Sequence, residues 1–421
     1  MNNTPRGSRL HIAIFGRRNV GKSSLINSLT NQDLAIVSDV AGTTTDPVFK
    51  SMEILPIGPV VLIDTAGIDD QGMLGELRRK KTLEVLRKTD LVLLVVSPEN
   101  EPGNYETDIA QLASENGVPV VGVANKQDLD LDPKVEDWQR SLDIPFYLVS
   151  SVTRYGLQEL KQGIVKHAPK DWTAPAIIGD KLSAGDTVIM VIPIDNAAPK
   201  GRIILPQVQT LRDLLDHNTQ AMVCKETELA ASLEKMSSPP RMVITDSQAF
   251  KMVSEIVPES IELTSFSILF ARYKGDLETL VAGAKAIDEL QPGTKVLVAE
   301  ACTHHRVDDD IGTQKIPHWL EQKVGGKLNF TWANGINLPE NLNQFDLVVH
   351  CGACMINRQE MMYRVMECKK AQIPIVNYGV LIAHIHGILP RVLSPFPEAL
   401  EILHQTPYQP KAGSDNRVEE L

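Results

Sequence analysis

The chain has few cysteines and no long apolar run. Five cysteines among 421 residues are too sparse for a disulfide framework, although two of them form a Cys-x-x-Cys motif. Apolar runs such as Leu91 to Val96 are several-fold shorter than the roughly 20 residues that a membrane helix needs. Because the stretch from Met1 to Leu10 is polar, it offers no signal-peptide core. We therefore expect a cytoplasmic protein that neither spans nor binds a membrane.

The chain also has fewer basic residues than acidic ones, with 42 Lys and Arg against 53 Asp and Glu. The formal net charge is -11, and an acidic chain repels phosphate backbones, which argues against nucleic acid as a partner. The hydrophobic share of 43% and the charged share of 23% are typical of a folded globular protein. The length indicates about three domains.

Strand-like apolar stretches alternate with amphipathic helical stretches in the first part of the chain. The strand candidates are rich in Val, Ile and Leu, and they are Leu10 to Phe15, Val60 to Asp64, Leu91 to Val96, Val118 to Ala124 and Phe146 to Val149. This pattern predicts an α/β domain over residues 1–168 with a doubly wound, mostly parallel sheet. Two prolines between Ala168 and Pro175 end the alternation, so we place a linker at 169–178.

Two smaller α/β domains are predicted after the linker. We place these domains at 179–261 and 262–409, followed by a polar, disordered tail at 410–421. Thr187 to Ile194 is an apolar strand that could pair edge to edge with its counterpart in a homodimer. A simple internal strand is the alternative.

A phosphate-binding loop follows the first strand and begins a helix. In the G-x-x-x-x-G-K-S motif, glycines let backbone N–H groups wrap a β-phosphate. Lys22 reaches the β- and γ-phosphates, and the Ser23 hydroxyl can bind Mg²⁺. The loop residues expected at the nucleotide are Gly16, Asn19, Val20, Gly21, Lys22, Ser23 and Ser24.

Two further motifs predict the metal and γ-phosphate contacts. In Gly42-Thr-Thr-Thr-Asp46, the Thr43 and Thr44 hydroxyls face the metal and the γ-phosphate. Asp64 supplies a carboxylate to the Mg²⁺ shell, and the Gly67 N–H points to the γ-phosphate. The candidate catalytic residues are Lys22, Thr44, Asp64 and Gly67.

Two motifs predict a guanine pocket. Asn125-Lys126-Gln-Asp128 ends a strand, and the Asp128 carboxylate can accept both N1–H and the exocyclic amine of guanine. Adenine lacks these two donors. Ser150, Ser151 and Val152 stand where backbone amides read guanine O6. Together the motifs predict a GTPase that binds GTP and GDP.

These motifs resemble those of the translation-factor-related GTPases that include MnmE and Era. In that group an Asn at the place of Asn19 helps to hold K⁺, and the residue after D-x-x-G is apolar, as Ile68 is here. The resemblance implies slow hydrolysis that K⁺ and dimerisation accelerate. We expect Arg17 and Arg18 to be solvated loop charges rather than catalytic groups.

A second cluster of reactive side chains lies near the C-terminus. Cys302 and His304 follow the predicted strand Lys295 to Ala299, and His350, Cys351 and Cys354 follow the predicted strand Phe345 to Val349. If these strands are parallel, both loops emerge at one edge of the sheet. An iron–sulfur cluster, a structural zinc ion, a thiol redox pair and free cysteines are the alternatives, and we favour the cluster.

Cys-x-His followed by His-Cys-x-x-Cys, downstream of a GTPase, resembles the HydF family of iron-only hydrogenase maturation GTPases. The resemblance implies a 4Fe-4S cluster on Cys302, Cys351 and Cys354, and a scaffold or carrier that delivers a di-iron precursor to apo-hydrogenase. It also implies that 179–261 is a dimerisation domain and 262–409 an iron-sulfur cluster-binding domain. A homodimer and radical-SAM maturases are the further partners it implies. Because a cubane has four irons, the fourth needs another ligand, for which His304, His350 and Asp309 are candidates.

The alternative function is an MnmE-like, K⁺-activated GTPase of RNA modification that carries a structural zinc ion. The net acidity of the chain disfavours that alternative.

Overall fold

The computed structural model describes most of the chain. The described residues are 9–30, 48–55, 57–65, 75–99, 102–129, 135–169, 176–194, 201, 203–301, 311–335, 338–339 and 341–404. The chain divides into two compact units, Met1–Ala174 and Pro175–Leu421. The predicted tail at 410–421 lies outside the described residues. No helix within the described ranges has the length and apolar character that crossing a membrane requires.

The first unit is built around one six-stranded sheet. Its strands are β1 (Leu10–Phe15), β2 (Val48–Ile54), β3 (Gly58–Asp64), β4 (Leu91–Val96), β5 (Val120–Ala124) and β6 (Phe146–Leu148). Its helices are α1 (Lys22–Thr30), α2 (Gly75–Leu86), α3 (Asn104–Glu115), α4 (Val135–Leu142) and α5 (Leu157–His167). The strand order is β2-β3-β1-β4-β5-β6, and only the β2–β3 pair is antiparallel.

Burial on both faces explains the continuous apolar strands of this sheet. Every residue of β1 and β4 is buried, and separate apolar clusters pack on the two faces. The predicted doubly wound, mostly parallel α/β fold is confirmed for this unit.

The second unit contains two four-stranded parallel sheets. The first has the order β10-β9-β7-β8 and consists of β7 (Thr187–Val191), β8 (Gln220–Cys224), β9 (Met242–Thr245) and β10 (Glu262–Ser265). The second has the order β12-β11-β13-β14 and consists of β11 (Lys295–Glu300), β12 (Asn329–Asn334), β13 (Leu347–His350) and β14 (Ile375–Asn377).

The helices of this unit are α6 (Leu205–Asp216), α7 (Leu229–Glu234), α8 (Phe250–Ile256), α9 (Phe266–Lys274), α10 (Leu277–Lys285), α11 (Ile316–Val324), α12 (Arg358–Lys370), α13 (Tyr378–Ile385), α14 (Leu389–Val392) and α15 (Pro397–His404). One apolar core runs through both sheets and the helices around them.

Two expectations from the sequence are corrected here. β7 is not an edge strand, because it lies between β9 and β8; the open edge on its side of the sheet is β8. β10, which we assigned to the last domain by placing a boundary at 261/262, pairs in parallel with β9 of the first sheet. A four-residue strand is too short for its periodicity to indicate which sheet it joins.

Both sheets of the second unit follow the same path. The second strand lies on one side of the first, and the third and fourth lie on the other, so the direction of winding reverses between β7 and β9 and between β11 and β13. In open α/β sheets, ligands bind at the carboxyl ends of the strands at such a reversal.

Candidate nucleotide and metal sites

The phosphate loop joins β1 to α1 and is held closely by its neighbours. A Cβ atom on Gly16 would lie 2.3 Å from the carbonyl oxygen of Val95, and one on Gly21 would lie 2.3 Å from Nδ2 of Asn125. Both glycines also have positive φ, so no other residue fits there without strain. The Lys22 amine is buried and donates to the carbonyl oxygens of Gly16 (2.5 Å) and Arg17 (3.0 Å).

The metal side of the loop contains a hydroxyl from the start of α1 and a carboxylate from the end of β3. Ser23 Oγ donates to Oδ2 of Asp64 at 3.3 Å. A hydroxyl and a carboxylate are oxygen ligands of the kind that Mg²⁺ uses beside phosphates. Thr43, Thr44 and Gly67, the other predicted contacts, lie outside the described residues.

The base side of the site is connected to the phosphate loop through Asn125. Its Nδ2 donates to the carbonyl oxygen of Val20 (3.0 Å), and its Oδ1 accepts from the N–H (3.1 Å) and the hydroxyl (3.0 Å) of Ser151. The exposed Asp128 carboxylate accepts from the Ser150 hydroxyl at 2.5 Å. Asn125 thus joins the phosphate loop, from which it is separated by 105 residues in sequence, to Ser151, which lies 26 residues further along the chain.

Asn19, Lys126, Ser24 and Val152 also lie at this site. Asn19 and Lys126 have left-handed backbone conformations, with φ of 66° and 65°. Ser24 is exposed in the first turn of α1, and Val152 is 77% exposed.

Arg17 differs from the solvated charge that the sequence predicted. Its Nη2 lies 2.8 Å from Oε2 of Glu106, which is 1% exposed and also accepts from the N–H of Gly103. The arginine therefore joins the phosphate loop to the start of α3. It is a structural contact rather than a catalytic one, as far as the described residues show.

The Cys-x-x-Cys loop lies at the winding reversal of the last sheet. Cys351 directly follows β13, and its N–H donates to the carbonyl oxygen of Ala299 in β11 (2.9 Å). Its Sγ accepts from the N–H of Ala301 at 3.2 Å. Ala353 has a φ of 53°, and the chain then continues to Cys354, which is partly exposed. Both loops with predicted cysteines therefore begin at one edge of the sheet.

Three predicted ligands, Cys302, His304 and Asp309, fall outside the described residues. In the part of the chain that the structure describes, no three His, Cys, Asp or Glu side chains meet in a group that could hold a metal ion.

His350 lies within a buried hydrogen-bond network. Arg364 Nη1 donates to His350 Nε2 (2.9 Å), and since a guanidinium can only donate, Nδ1 carries the proton and donates to the carbonyl oxygen of Cys351 (2.7 Å). Burial, with the charge of Arg364 in support, lowers the pKa of His350 to about 3. Both ring nitrogens are thus engaged, and His350 supports the loop rather than offering a lone pair to a metal.

Arg364 is itself fully buried, and its role could not be predicted from the sequence motifs. It also contacts Oε1 of Glu360 (3.3 Å) and donates to the carbonyl oxygen of Gly335 (2.8 Å). The i, i+4 spacing of Glu360 and Arg364 on α12 was the available signal, although the same spacing is common on exposed helix faces.

Two more cations hold the Cys-x-x-Cys loop against the end of α9. The buried Lys274 amine donates to the carbonyl oxygen of Ile356 (3.0 Å). In return, Arg358 Nη1 donates to the carbonyl oxygens of Arg272 (3.2 Å), Tyr273 (2.9 Å) and Gly275 (3.0 Å), which closes the carboxyl end of the helix. We refer to Lys274 and Arg358 together as the α9 clamp.

The two remaining cysteines, Cys224 and Cys368, lie outside the Cys-x-x-Cys loop. Cys368 is fully buried on α12, and burial, followed by the nearby Glu367 charge, raises its pKa to about 12. Burial also raises the pKa of the Cys224 thiol at the end of β8. Thiols that remain protonated are poor metal ligands.

A phosphate loop at a helix N-terminus, an Asp–Ser pair for the metal and an Asn–Lys–x–Asp base motif define a P-loop GTPase domain. The family model of 50S ribosome-binding GTPases matches residues 11–126. Two further models match the second unit: the hydrogen maturase F dimerization domain at 177–275 and the hydrogen maturase F tetramerization domain at 278–395. The chain belongs to the hydrogen maturase F family, and the predicted resemblance is confirmed.

Individual relatives are similar to the first unit. The chain is 34% identical over 166 residues to GTPase Der of Deinococcus deserti and 34% identical over 160 residues to the tRNA modification GTPase MnmE of Bacillus subtilis. Each alignment covers 37% of this chain. The chain spans only 37% of the length of GTPase Der and 34% of the length of MnmE.

Two solved structures are similar to part of this chain. The G domain of Thermotoga maritima FeoB is 26% identical, with a TM-score of 0.30, over 38% of this chain and 98% of that one. Aquifex aeolicus Era bound to GDP and AlF4⁻ is 20% identical, with a TM-score of 0.34, over 51% of this chain and 93% of that one.

Proposed function

We propose that this chain is a GTP-hydrolysing scaffold and carrier in the maturation of iron-only hydrogenase. It holds a 4Fe-4S cluster on Cys302, Cys351 and Cys354 and delivers a di-iron precursor, its cargo, to the apo-hydrogenase. Radical-SAM maturases are the proposed source of that cargo. Membership of the hydrogen maturase F family supports the biological setting, and the GTPase domain supports the use of GTP.

The observation that carries the cluster proposal is the hydrogen bond from the Ala301 N–H to the Cys351 sulfur. Cys302 is the next residue after Ala301 in the sequence. Hydrogen bonds to sulfur are a known means of tuning an iron–sulfur centre. The described donors fit such a group, since Cys351 and Cys354 come from one short loop at the edge of the sheet where ligands bind.

Three cysteines would hold three of the four irons of the cluster, so the fourth would need another ligand. When bound, the cluster would supply there an iron with an exchangeable ligand, which suits a carrier. His304 and Asp309 are the proposed weak ligands from this chain. His350 is not among them, because its Nδ1 is bound to the Cys351 carbonyl and its Nε2 to Arg364.

Cysteine substitutions in the full chain test the cluster proposal. After anaerobic reconstitution, the wild type should be brown and show the EPR signal of a reduced 4Fe-4S cluster. Cys351→Ala and Cys354→Ala should lose most of that signal while GTP hydrolysis persists. Cys224→Ala is the matched control and should keep it. A colourless protein that binds one zinc ion through Cys351 and Cys354 would instead favour the RNA-modification GTPase.

GTP, Mg²⁺ and K⁺ are the proposed cofactors of the first unit. Ser23 and Asp64 lie where Mg²⁺ would bridge to the phosphates, and the Lys22 amine would exchange its two carbonyl partners for phosphate oxygens. The exposed, left-handed Asn19 on the phosphate loop is the proposed K⁺ ligand.

The oligomer is the last part of the proposal. The family contains a dimerization and a tetramerization domain, so the chain is expected to assemble with copies of itself. We assign the dimer contact to β8, in place of the internal β7. β8 is an edge strand with no charged residue, and its Met222 and Val223 side chains are 37% and 48% exposed.

A further inference from the structure

β4 lies between the two strands whose loops form the nucleotide site. It pairs in parallel with β1, which the phosphate loop follows, and with β5, which the base motif follows. The direction of winding reverses between β1 and β4, because β3 pairs with the other side of β1. The chain that continues from β4 therefore leaves the sheet between the phosphate end and the base end of the site.

The last residues of β4 contact both loops through the backbone. The carbonyl oxygen of Val95 packs against Gly16, where it would lie 2.3 Å from an added Cβ atom. The next carbonyl oxygen, that of Val96, accepts the backbone N–H of Asn125 at 2.9 Å. The end of this one strand thus supports the phosphate loop and the base motif together.

A carboxylate at the start of α3 adds a side-chain contact on the phosphate side. Arg17 Nη2 donates to Glu106 Oε2 at 2.8 Å, and Glu106 is 1% exposed. The same oxygen accepts from the Gly103 N–H at 2.8 Å, so the helix that carries the carboxylate also fixes it in place. The Arg17 carbonyl oxygen accepts from the Lys22 amine at 3.0 Å. A movement of the phosphate loop away from α3 would break a charge-assisted bond to a buried carboxylate.

A second carboxylate makes the corresponding contact on the base side. The Lys126 amine pairs with Glu99, which lies three residues after the end of β4. The Lys126 side chain is 27% exposed and that of Glu99 is 47% exposed. Because water and salt screen a partly exposed ion pair, this contact should be weaker than the one between Arg17 and Glu106.

We propose that Glu106 and Glu99 are positioning residues that limit the rate at which bound GDP is released. The nucleotide is held at its phosphates by the phosphate loop and at its base by the base motif, so it leaves only when one of the two moves away. Each carboxylate ties one of them to the chain that follows β4. This inference rests on guanine-nucleotide binding by the first unit and is independent of the cluster proposal.

Three substitutions loosen the phosphate side in different ways. Glu106→Gln keeps an oxygen acceptor for the Gly103 N–H but removes the charge that holds Arg17, and Arg17→Met removes the guanidinium. Gly103→Ala changes no charge, but its added Cβ would lie 2.6 Å from Arg17 Nη2 and would displace the guanidinium. Glu99→Gln loosens the base side alone, at a side chain too exposed for its loss to endanger the fold.

Release of a fluorescent GDP analogue from the full-length chain, chased with excess GDP, measures the effect. Glu106→Gln, Arg17→Met and Gly103→Ala should each release the analogue on the order of tenfold faster than the wild type, because each loses a charge-assisted contact. Glu99→Gln should accelerate release by no more than about fivefold, as expected for a partly exposed ion pair. Glu115→Gln, at the exposed far end of α3, is the matched control and should release at the wild-type rate.

Two further readouts separate positioning from a general loss of structure. The association rate and the amount of nucleotide bound at saturation should stay at wild-type values, because the groups that contact the nucleotide are unchanged. The double variant Arg17→Met/Glu106→Gln should release the analogue no faster than Arg17→Met alone, since the two side chains act through one contact.

Wild-type release rates in both Glu106→Gln and Gly103→Ala would overturn the inference. Faster release that comes with an equal loss of nucleotide bound at saturation would also overturn it, because that pattern indicates partial unfolding. A wild type that binds no GDP is a distinct result: it would contradict the nucleotide site itself, and the inference would fail with it.

Discussion

Asp128 is the residue on which base selection depends. Its carboxylate accepts from the Ser150 hydroxyl, which orients it at the edge of the site. Asp128→Asn replaces a charged acceptor of two guanine donors with an amide, so guanine nucleotides should bind more weakly by about 1–3 kcal/mol. Competition titrations with GDP and ATP measure this change.

The control for Asp128 is an exposed carboxylate elsewhere in the same unit. Asp137→Asn on α4 should leave nucleotide affinity unchanged, because Asp137 is 64% exposed and forms an exposed ion pair with Arg140. If the wild type binds ATP as well as GDP, the guanine assignment of this site is wrong.

Arg364 is a second residue whose substitution should have a large effect, in this case on the free energy of unfolding. Removing its guanidinium in Arg364→Met takes away the charged partner of the buried Glu360 and the donor to His350 Nε2. Leaving a buried charge without its partner costs about 3–5 kcal/mol. Urea unfolding of the second unit, followed by tryptophan fluorescence, should show a loss of this size.

A compensating change separates the charge effect from simple loss of packing. Glu360→Gln in the Arg364→Met background removes the uncompensated carboxylate and should restore part of the stability. A single Arg364→Met variant that is as stable as the wild type would contradict the buried network.

The α9 clamp is the element that positions the Cys-x-x-Cys loop. Lys274 binds a loop carbonyl, and Arg358 binds the last carbonyls of the helix, so the two contacts are reciprocal. Lys274→Met and Arg358→Gln should each loosen the loop by about 1–3 kcal/mol, the cost of a lost buried charged hydrogen bond. Chelator-driven loss of iron from the reconstituted protein should therefore become roughly 5- to 150-fold faster.

Lys369→Ala is the control for the clamp. Its amine pairs with Asp276 at 2.9 Å, but the pair is partly exposed and lies outside the loop. Iron loss in this variant should match the wild type. The positioning role fails if Lys274→Met and Arg358→Gln lose iron no faster than Lys369→Ala, or if thiol alkylation of Cys354 in the apo-proteins is equally slow in all three.

At the scale of the whole molecule, GTP turnover should depend on the cation. A K⁺ ion held by Asn19 would supply positive charge to the transition state where other GTPases use an arginine. Replacing Na⁺ with K⁺ at constant ionic strength should raise turnover on the order of tenfold. Asn19→Ala should abolish the difference, and equal rates in the two salts would remove Asn19 from the catalytic proposal.

The order of the motifs, the nucleotide site and the family could be predicted from the sequence. Phosphate loops and base motifs are short and local, since each needs only a strand, a turn and a helix to present its groups. The contacts among Gly21, Asn125 and Ser151 follow once those motifs fold onto one sheet edge. The cysteine loop at the end of β13 could likewise be placed from its position after an apolar run.

Only the tertiary structure decided the contacts between distant segments. β7 and β8 are both short apolar strands in sequence, and hydrogen bonding with β9 is what makes one central and the other an edge. His350 has the sequence context of a ligand, yet Arg364, fourteen residues away, occupies its Nε2. In sequence, Lys274 and Arg358 resemble ordinary surface charges. Packing buries Lys274 and brings both residues to the carboxyl end of α9. Local motifs are encoded by neighbouring residues, whereas burial and strand order depend on every segment that packs alongside.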